Sequence, residues 1–317
     1  MARVAAIDCG TNSIRLLVAD VSRREDGSFL LRDVHREMRI VRLGEGVDAT
    51  GRLAIAALMR TRDALADYAL TVRRKGAERV RMVATSATRD ASNRDDFFSM
   101  TRDVLGTEAE VISGDEEARL TFTGAVGDLD PEDGPFLMTD IGGGSTELVL
   151  GTWDGLSASI KAAKSVDIGC VRITERCLHA DPPTAAEIAA ARDLAESTLA
   201  SAFDAVPVAG ARTWVGVAGT ITTLAAVGLG LSEYDAQVTH LARLTLPELR
   251  STTERLLAAS HEERAANRAI HPGRVDVIGG GSLIALVLAE QLQARAGITE
   301  LLSSEHDILD GIALSLL

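Results

Sequence analysis

Two short stretches carry the same chemistry-bearing residues. Asp8-Cys-Gly-Thr-Asn-Ser13 and Asp140-Ile-Gly-Gly-Gly-Ser145 share the pattern Asp-x-Gly-x-x-Ser at a spacing of 132 residues, and Leu16 and Leu148 keep the same register. An aspartate at the end of a strand offers hard oxygen ligands of the kind Mg²⁺ takes, usually with retained waters. A glycine turn permits positive φ and close approach, so successive backbone N–H groups can face an anion. The turn joins two strand-like segments in each copy. That excludes the Walker loop and the dinucleotide fingerprint, in which the glycine turn opens a helix.

Other residues could join that chemistry. Ser113-Gly-Asp-Glu-Glu-Ala118 leaves a strand and opens a helix, which puts Glu116 and Glu117 in a first turn whose dipole tolerates negative charge. A carboxylate at such a strand end can orient water against a phosphorus atom. Gly216-Val-Ala-Gly-Thr220 links a strand to a helix, where Gly219 and Thr220 suit either a phosphate or a tight turn with Thr220 as N-cap. Gly279-Gly-Gly281 interrupts an apolar helix, and close packing on another helix is its expected use.

The elements that position these residues follow from periodicity. Arg3 to Asp8 and Ile14 to Val21 read as strands, Asp26-Gly27 as a hairpin turn, and Phe29 to Leu43 as extended. The second copy repeats the order with Phe136 to Ile141, Glu147 to Gly151, Asp154-Gly155 and Ser157 to Val166. Each copy is a three-strand meander followed by alternating helices and strands. The first has helices over 55–74, 95–105 and 115–126 and strands over 79–84 and 109–113. The second has helices over 171–179, 184–203, 220–227, 246–259 and 275–295 and a strand over 213–217. A last amphipathic helix spans 306–316. The architecture expected is α/β, with two similar domains whose mixed sheets are flanked by helices. The domains are 1–127 joined by the C-terminal helix 303–317, and 128–302, with a cleft between them.

Bulk composition narrows the class. At 317 residues, 46% hydrophobic and 25% charged, the chain is long enough for two globular domains. The net charge of −13 argues against nucleic acid as partner, and Trp153 and Trp214 are too scattered to stack bases. The longest apolar run, Val277 to Ala289, falls short of the roughly 18 residues that a membrane span needs. No signal-peptide pattern precedes Asp8, so the cytoplasm is the expected location. Cys9, Cys170 and Cys177 lack metal-ligand or disulfide spacing.

With these motifs in hand, the chain resembles the exopolyphosphatase and guanosine-pentaphosphate phosphohydrolase (Ppx/GppA) family. Asp8 to Ser13, Thr85 to Asn93, Ile112 to Arg119, Asp140 to Glu147 and Gly216 to Thr220 match its signature series in order, across nearly the whole chain. The resemblance implies the actin-like (ribonuclease-H-like) superfold with the active site in the interdomain cleft. It implies Glu117 as general base for the attacking water, and Asp8, Asp140 and Glu147 as ligands of Mg²⁺. It further implies phosphate contacts from Asn12, Ser13, Gly143, Gly144, Ser145, Thr146, Arg89, Asn93, Gly219 and Thr220, and a homodimer. One departure stands out: Glu305-His-Asp-Ile-Leu-Asp-Gly311 replaces a Leu-Arg-Glu-Gly pattern and removes an arginine.

The implied reaction is hydrolysis of terminal phosphates from inorganic polyphosphate, with short chains favoured because some relatives carry an extra helical domain for the polymer. Guanosine pentaphosphate, trimmed at its 5′ phosphate, is the alternative substrate. Two readings of another class remain. One is a sugar or acid kinase, which needs an adenosine pocket around Gly279 to Gly281; the other is a non-catalytic actin-like nucleotide-binding module.

Overall fold

The computed structural model describes residues 2–317, which divide into two compact units. One comprises the chain through Asp128 with Asp154–Ala158 and Asp307–Leu317; the other comprises Leu129–Trp153 and Ser159–His306.

The sheet of the first unit has the order β3-β2-β1-β4-β5, from β1 (Ala2–Cys9), β2 (Ser13–Arg23), β3 (Phe29–Ile40), β4 (Arg79–Ala84) and β5 (Glu110–Val111). The meander strands pair antiparallel, while β4 joins β1 in parallel and β5 joins β4 in parallel. From Val4 to Cys9, β1 is buried on both faces, so its alternating side chains feed two cores. Ala5, Ile7 and Cys9 share one core with Leu65 and Tyr68 of the Ile55–Lys75 helix and with Phe97. Val4 and Ala6 share the other with Leu120, Ile308, Leu309 and Ile312. The helix interface in that second core is unusually close. A Cβ on Gly311 would lie 1.9 Å from the backbone oxygen of Leu120, and one on Gly124 would lie 2.0 Å from that of Asp307, so only glycine fits at both. The helices Gly114–Ala125 and Ile308–Leu314 thus meet backbone to backbone.

The second unit repeats this plan. Its strands are β6 (Phe136–Ile141), β7 (Thr146–Trp153), β8 (Ala158–Val166), β9 (Thr213–Val217), β10 (Arg243–Thr245) and β11 (Glu300–Ser303), in the order β10-β11-β9-β6-β7-β8. Read from the meander outward, β8-β7-β6-β9-β11 reproduces β3-β2-β1-β4-β5, and β9 and β11 again run parallel to their inner neighbours. The duplication therefore extends from a six-residue motif to five strands of topology. The core around Leu137, Leu148, Trp214 and Leu288 is covered by the helices Ala185–Ala205, Leu246–Ala258 and Ile278–Ala296. Thr184 with Glu187 and Thr245 with Glu248 form capping boxes that start the first two of these helices.

Several expected bounds shift. The expected strand over 109–113 shortens to the pair Glu110–Val111, because Ser113 already serves as the next helix's N-cap. Residue 303 ends a strand of the second sheet rather than beginning the C-terminal helix. No helix among the described residues is long and apolar enough to cross a membrane.

Candidate active site

In the first unit the turn between β1 and β2 closes when Gly10 N–H donates to the carbonyl of Ser13 at 2.9 Å. Its middle carbonyls are held from behind. Thr11 accepts from Gly44 N–H at 2.8 Å, and Asn12 accepts from the N–H groups of Val41 and Arg42 at 3.0 and 2.9 Å. Asp8, at the strand end, is buried and lies directly across the ladder from Arg15. Arg15 donates through Nε and Nη2 to Oδ2 of Asp8, at 2.9 and 2.7 Å. Oδ1 is buried and has no hydrogen-bond partner among the described residues. Burial raises the Asp8 pKa above its ordinary value, and the charge and hydrogen bonds of Arg15 oppose that rise.

The second copy has the same closure, Gly142 N–H to the carbonyl of Ser145 at 3.0 Å, and the same clamp. Gly142 accepts from Cys170 N–H and Gly143 from Val171 N–H, both at 2.9 Å, while the Arg172 side chain donates to the carbonyl of Gly144 at 3.0 Å. In a trans peptide the C=O and N–H point in opposite directions, so the N–H groups of Gly143, Gly144 and Ser145 face away from that clamp. None of them donates to a backbone carbonyl among the described residues. Three amides fixed in this way have the geometry of an anion cradle of the kind that suits phosphate oxygens. Gly169 is what allows the clamp: a Cβ there would sit 2.5 Å from the carbonyl carbon and oxygen of Gly143.

The copies differ in one informative place. Position 147, which corresponds to 15, carries glutamate, and Glu147 lies directly opposite Asp140 across β6 and β7. Both are buried, at 1% and 6% exposure, and like charges facing each other across a ladder oppose pairing. Ser165 of β8 donates to Oε1 of Glu147 at 2.6 Å. Adjacent buried carboxylates with hard oxygens fit a divalent cation of the Mg²⁺ type, and so does the bare Oδ1 of Asp8.

Glu117 is buried at 7% exposure in the first turn of the Gly114–Ala125 helix, behind the Ser113 cap. Arg89 donates through Nη1 both to Oε2 of Glu117 at 3.2 Å and to the carbonyl of Ile112 at 3.0 Å. The neighbouring Glu116 instead pairs with Arg81 at 2.6 Å and is half exposed. The helix thus separates one sheltered carboxylate from one surface carboxylate. Two residues expected to contact substrate make internal contacts in this structure. Arg89 positions Glu117, and the Asn93 amide is spent on the backbone of Leu53 and on Asp96. Ser13 is half-buried at the start of β2, Ser145 is buried, and the Thr146 hydroxyl is committed to the carbonyl of Ile168 at 2.6 Å.

At the third turn the helix begins at Ala218, so Thr220 is inside it rather than its cap. Ala218 has a φ of 65°, a left-handed conformation that is costly outside glycine and is commonest at functional sites. Arg274 lays its guanidinium against this turn and donates to the carbonyl of Gly219 at 3.0 Å. Gly280 and Gly281 serve the close packing expected of them: a Cβ on Gly280 would lie 2.5 Å from Thr174 Oγ1, and one on Gly281 would lie 2.7 Å from the Thr220 methyl.

Arg15, Ser165, Gly169 and Arg274 carry no motif of their own in the sequence. Arg15 was within reach, because the 132-residue offset lays it on Glu147. The others come together only through tertiary structure.

Comparisons with known proteins identify the family. The family model described as the Ppx/GppA phosphatase family matches residues 20–316. Exopolyphosphatase 2 of Mycobacterium tuberculosis is 56% identical, over 100% of this chain and 99% of its own. A crystal structure of an exopolyphosphatase-like protein superposes with a TM-score of 0.93 at 41% identity, covering 99% of this chain and 97% of that one. A Ppx/GppA family member from Aquifex aeolicus superposes at 0.79 with 32% identity and the same coverage. With its two mixed sheets of repeated topology and this match along almost the entire sequence, the chain belongs to the Ppx/GppA phosphatase family.

Proposed function

We propose that this protein is an exopolyphosphatase, a phosphoanhydride hydrolase that removes terminal phosphates from inorganic polyphosphate. The observation that carries this reading is the end-to-end 56% identity with a protein named Exopolyphosphatase 2. The site residues support it chemically. Glu117, sheltered and oriented by Arg89, accepts a proton as water attacks the terminal phosphorus in line with the leaving oxygen. The N–H groups of Gly143, Gly144 and Ser145, with Ser13 in the other copy, receive the phosphoryl oxygens as charge spreads over them. Asp140 and Glu147 in the second unit and Asp8 in the first are the carboxylates that would hold Mg²⁺. When bound, the ion neutralises charge on the phosphate oxygens. No covalent enzyme intermediate is needed.

The net charge of −13 opposes long polyanions, so short chains should be turned over faster. The test is phosphate release from short polyphosphates, long polyphosphate, guanosine pentaphosphate and ATP, each with Mg²⁺ and again after chelation. Short polyphosphate with Mg²⁺ should give the highest kcat/KM, and chelation should abolish release. A higher value for guanosine pentaphosphate would transfer the assignment to the nucleotide, and full activity in chelator would remove the ion from the account.

A further inference from the structure

Asp307 is the N-cap of the Ile308–Leu314 helix, and its side chain reaches the first acid–turn motif through Arg15. A guanidinium normally engages a carboxylate as a fork, with two parallel bonds to its two oxygens. Arg15 does not do this with Asp8. Its Nε and Nη2 both fall on Oδ2, while Nη1 is turned to Oδ2 of Asp307. The arrangement leaves Oδ1 of Asp8 bare although it is buried.

Asp307 can hold Arg15 this way because it is itself fixed. Its Oδ1 caps the helix by accepting from Leu309 N–H at 3.0 Å, and its own N–H donates to Asp310 at 3.1 Å. Asp310 is gripped in turn by Arg36. The backbone contact of Gly311 with Leu120 pins the helix that carries all of these groups. Counting charges, Asp8, Arg15 and Asp307 sum to −1, whereas Asp8 and Arg15 alone would be neutral.

We propose that Asp307 is a positioning residue for cation binding. By drawing Nη1 of Arg15 away, it keeps the guanidinium off Oδ1 of Asp8 and leaves the group a net negative charge, so that oxygen remains available to a divalent ion. The inference rests on the reading of Asp8 as a ligand, and the test separates the two. Mn²⁺ binding to the full chain is measured without substrate, from the loss of the free-ion electron paramagnetic resonance signal. The proteins are wild type, Asp8→Asn, Asp307→Asn, Asp307→Ser and the Asp8→Asn/Asp307→Asn double variant. Asparagine and serine both preserve the helix cap. Each Asp307 variant should weaken Mn²⁺ binding about tenfold, the scale for removing one charge near a bound ion, with kcat at saturating metal within about twofold of wild type. In the Asp8→Asn background the Asp307 change should have no further effect. Unchanged Mn²⁺ affinity in folded Asp307 variants, with Asp8→Asn still weakened, overturns the inference and leaves the Asp8 reading standing. Unchanged affinity in Asp8→Asn overturns both. A purely structural role would lower the melting temperature without moving the affinity of the folded protein.

Discussion

Glu117→Gln should slow phosphate release by about 10²- to 10⁴-fold, the usual contribution of a positioned general base. Glutamine preserves the volume of the side chain and can still accept from Nη1 of Arg89 through its amide oxygen, so the first turn of the helix should remain intact. What it loses is the capacity to take a proton at neutral pH. The loss should appear in kcat and in kcat/KM together, because the interaction is made in the transition state and not with bound substrate. Glu116→Gln is the internal control: that neighbour is paired with Arg81 at the surface, and its replacement should leave the rate within about twofold. Single-turnover measurements on both variants, with melting curves to establish folding, decide the matter. A Glu117→Gln enzyme within tenfold of wild type would remove this residue from the role of base.

Gly169→Ala should cost about 10²-fold in activity, as expected when catalytic donors are displaced by about 1 Å. Gly169 has a φ of −153°, extended backbone that any residue adopts, so the penalty is one of contact rather than conformation. The added Cβ would approach the carbonyl carbon and oxygen of Gly143 to 2.5 Å and the oxygen of Gly142 to 2.6 Å. All of these are backbone atoms of the cradle and cannot swing aside as a side chain would. The loop must move, and the N–H groups of Gly143, Gly144 and Ser145 move with it. Overpacking of this kind typically destabilises by about 1–3 kcal/mol, which a domain of this size should survive. Gly210→Ala, where a Cβ meets nothing within 4 Å, should retain wild-type kinetics. Measured kcat for the two alanine variants tests the claim; equal activity would mean that the cradle tolerates displacement or does not serve the reaction.

Both predictions draw on features that the sequence exposes unevenly. The meanders were readable because β1, β2, β6 and β7 combine long apolar runs with a repeated turn, and repetition is visible without tertiary context. Glu117 was readable because Ser113 and the acidic run mark a helix start. Short elements were not. Arg243–Thr245 and Glu300–Ser303 hold three and four residues, too few to establish a period, and they become strands only by pairing with each other and with β9. The partners of Arg89 and Asn93 in the motif Thr85 to Asn93, Glu117 and Leu53, were not readable, because side-chain partners depend on packing that no local pattern encodes. Arg15 shows the opposite case. Compared at the repeat offset, the replacement of a carboxylate by a guanidinium was already present in the linear chain, and the structure supplied its consequence: one motif carries its own countercharge, while the other faces two acids across a ladder.

In the proposed reaction solvent water attacks a terminal phosphorus, and isotope transfer tests that step most directly. Short polyphosphate is hydrolysed with Mg²⁺ in water enriched in ¹⁸O, and the released orthophosphate and the shortened chain are analysed by mass spectrometry. One solvent oxygen should appear in each orthophosphate and none in the shortened chain. Label in the shortened chain, or release that requires an acceptor other than water, would contradict the account.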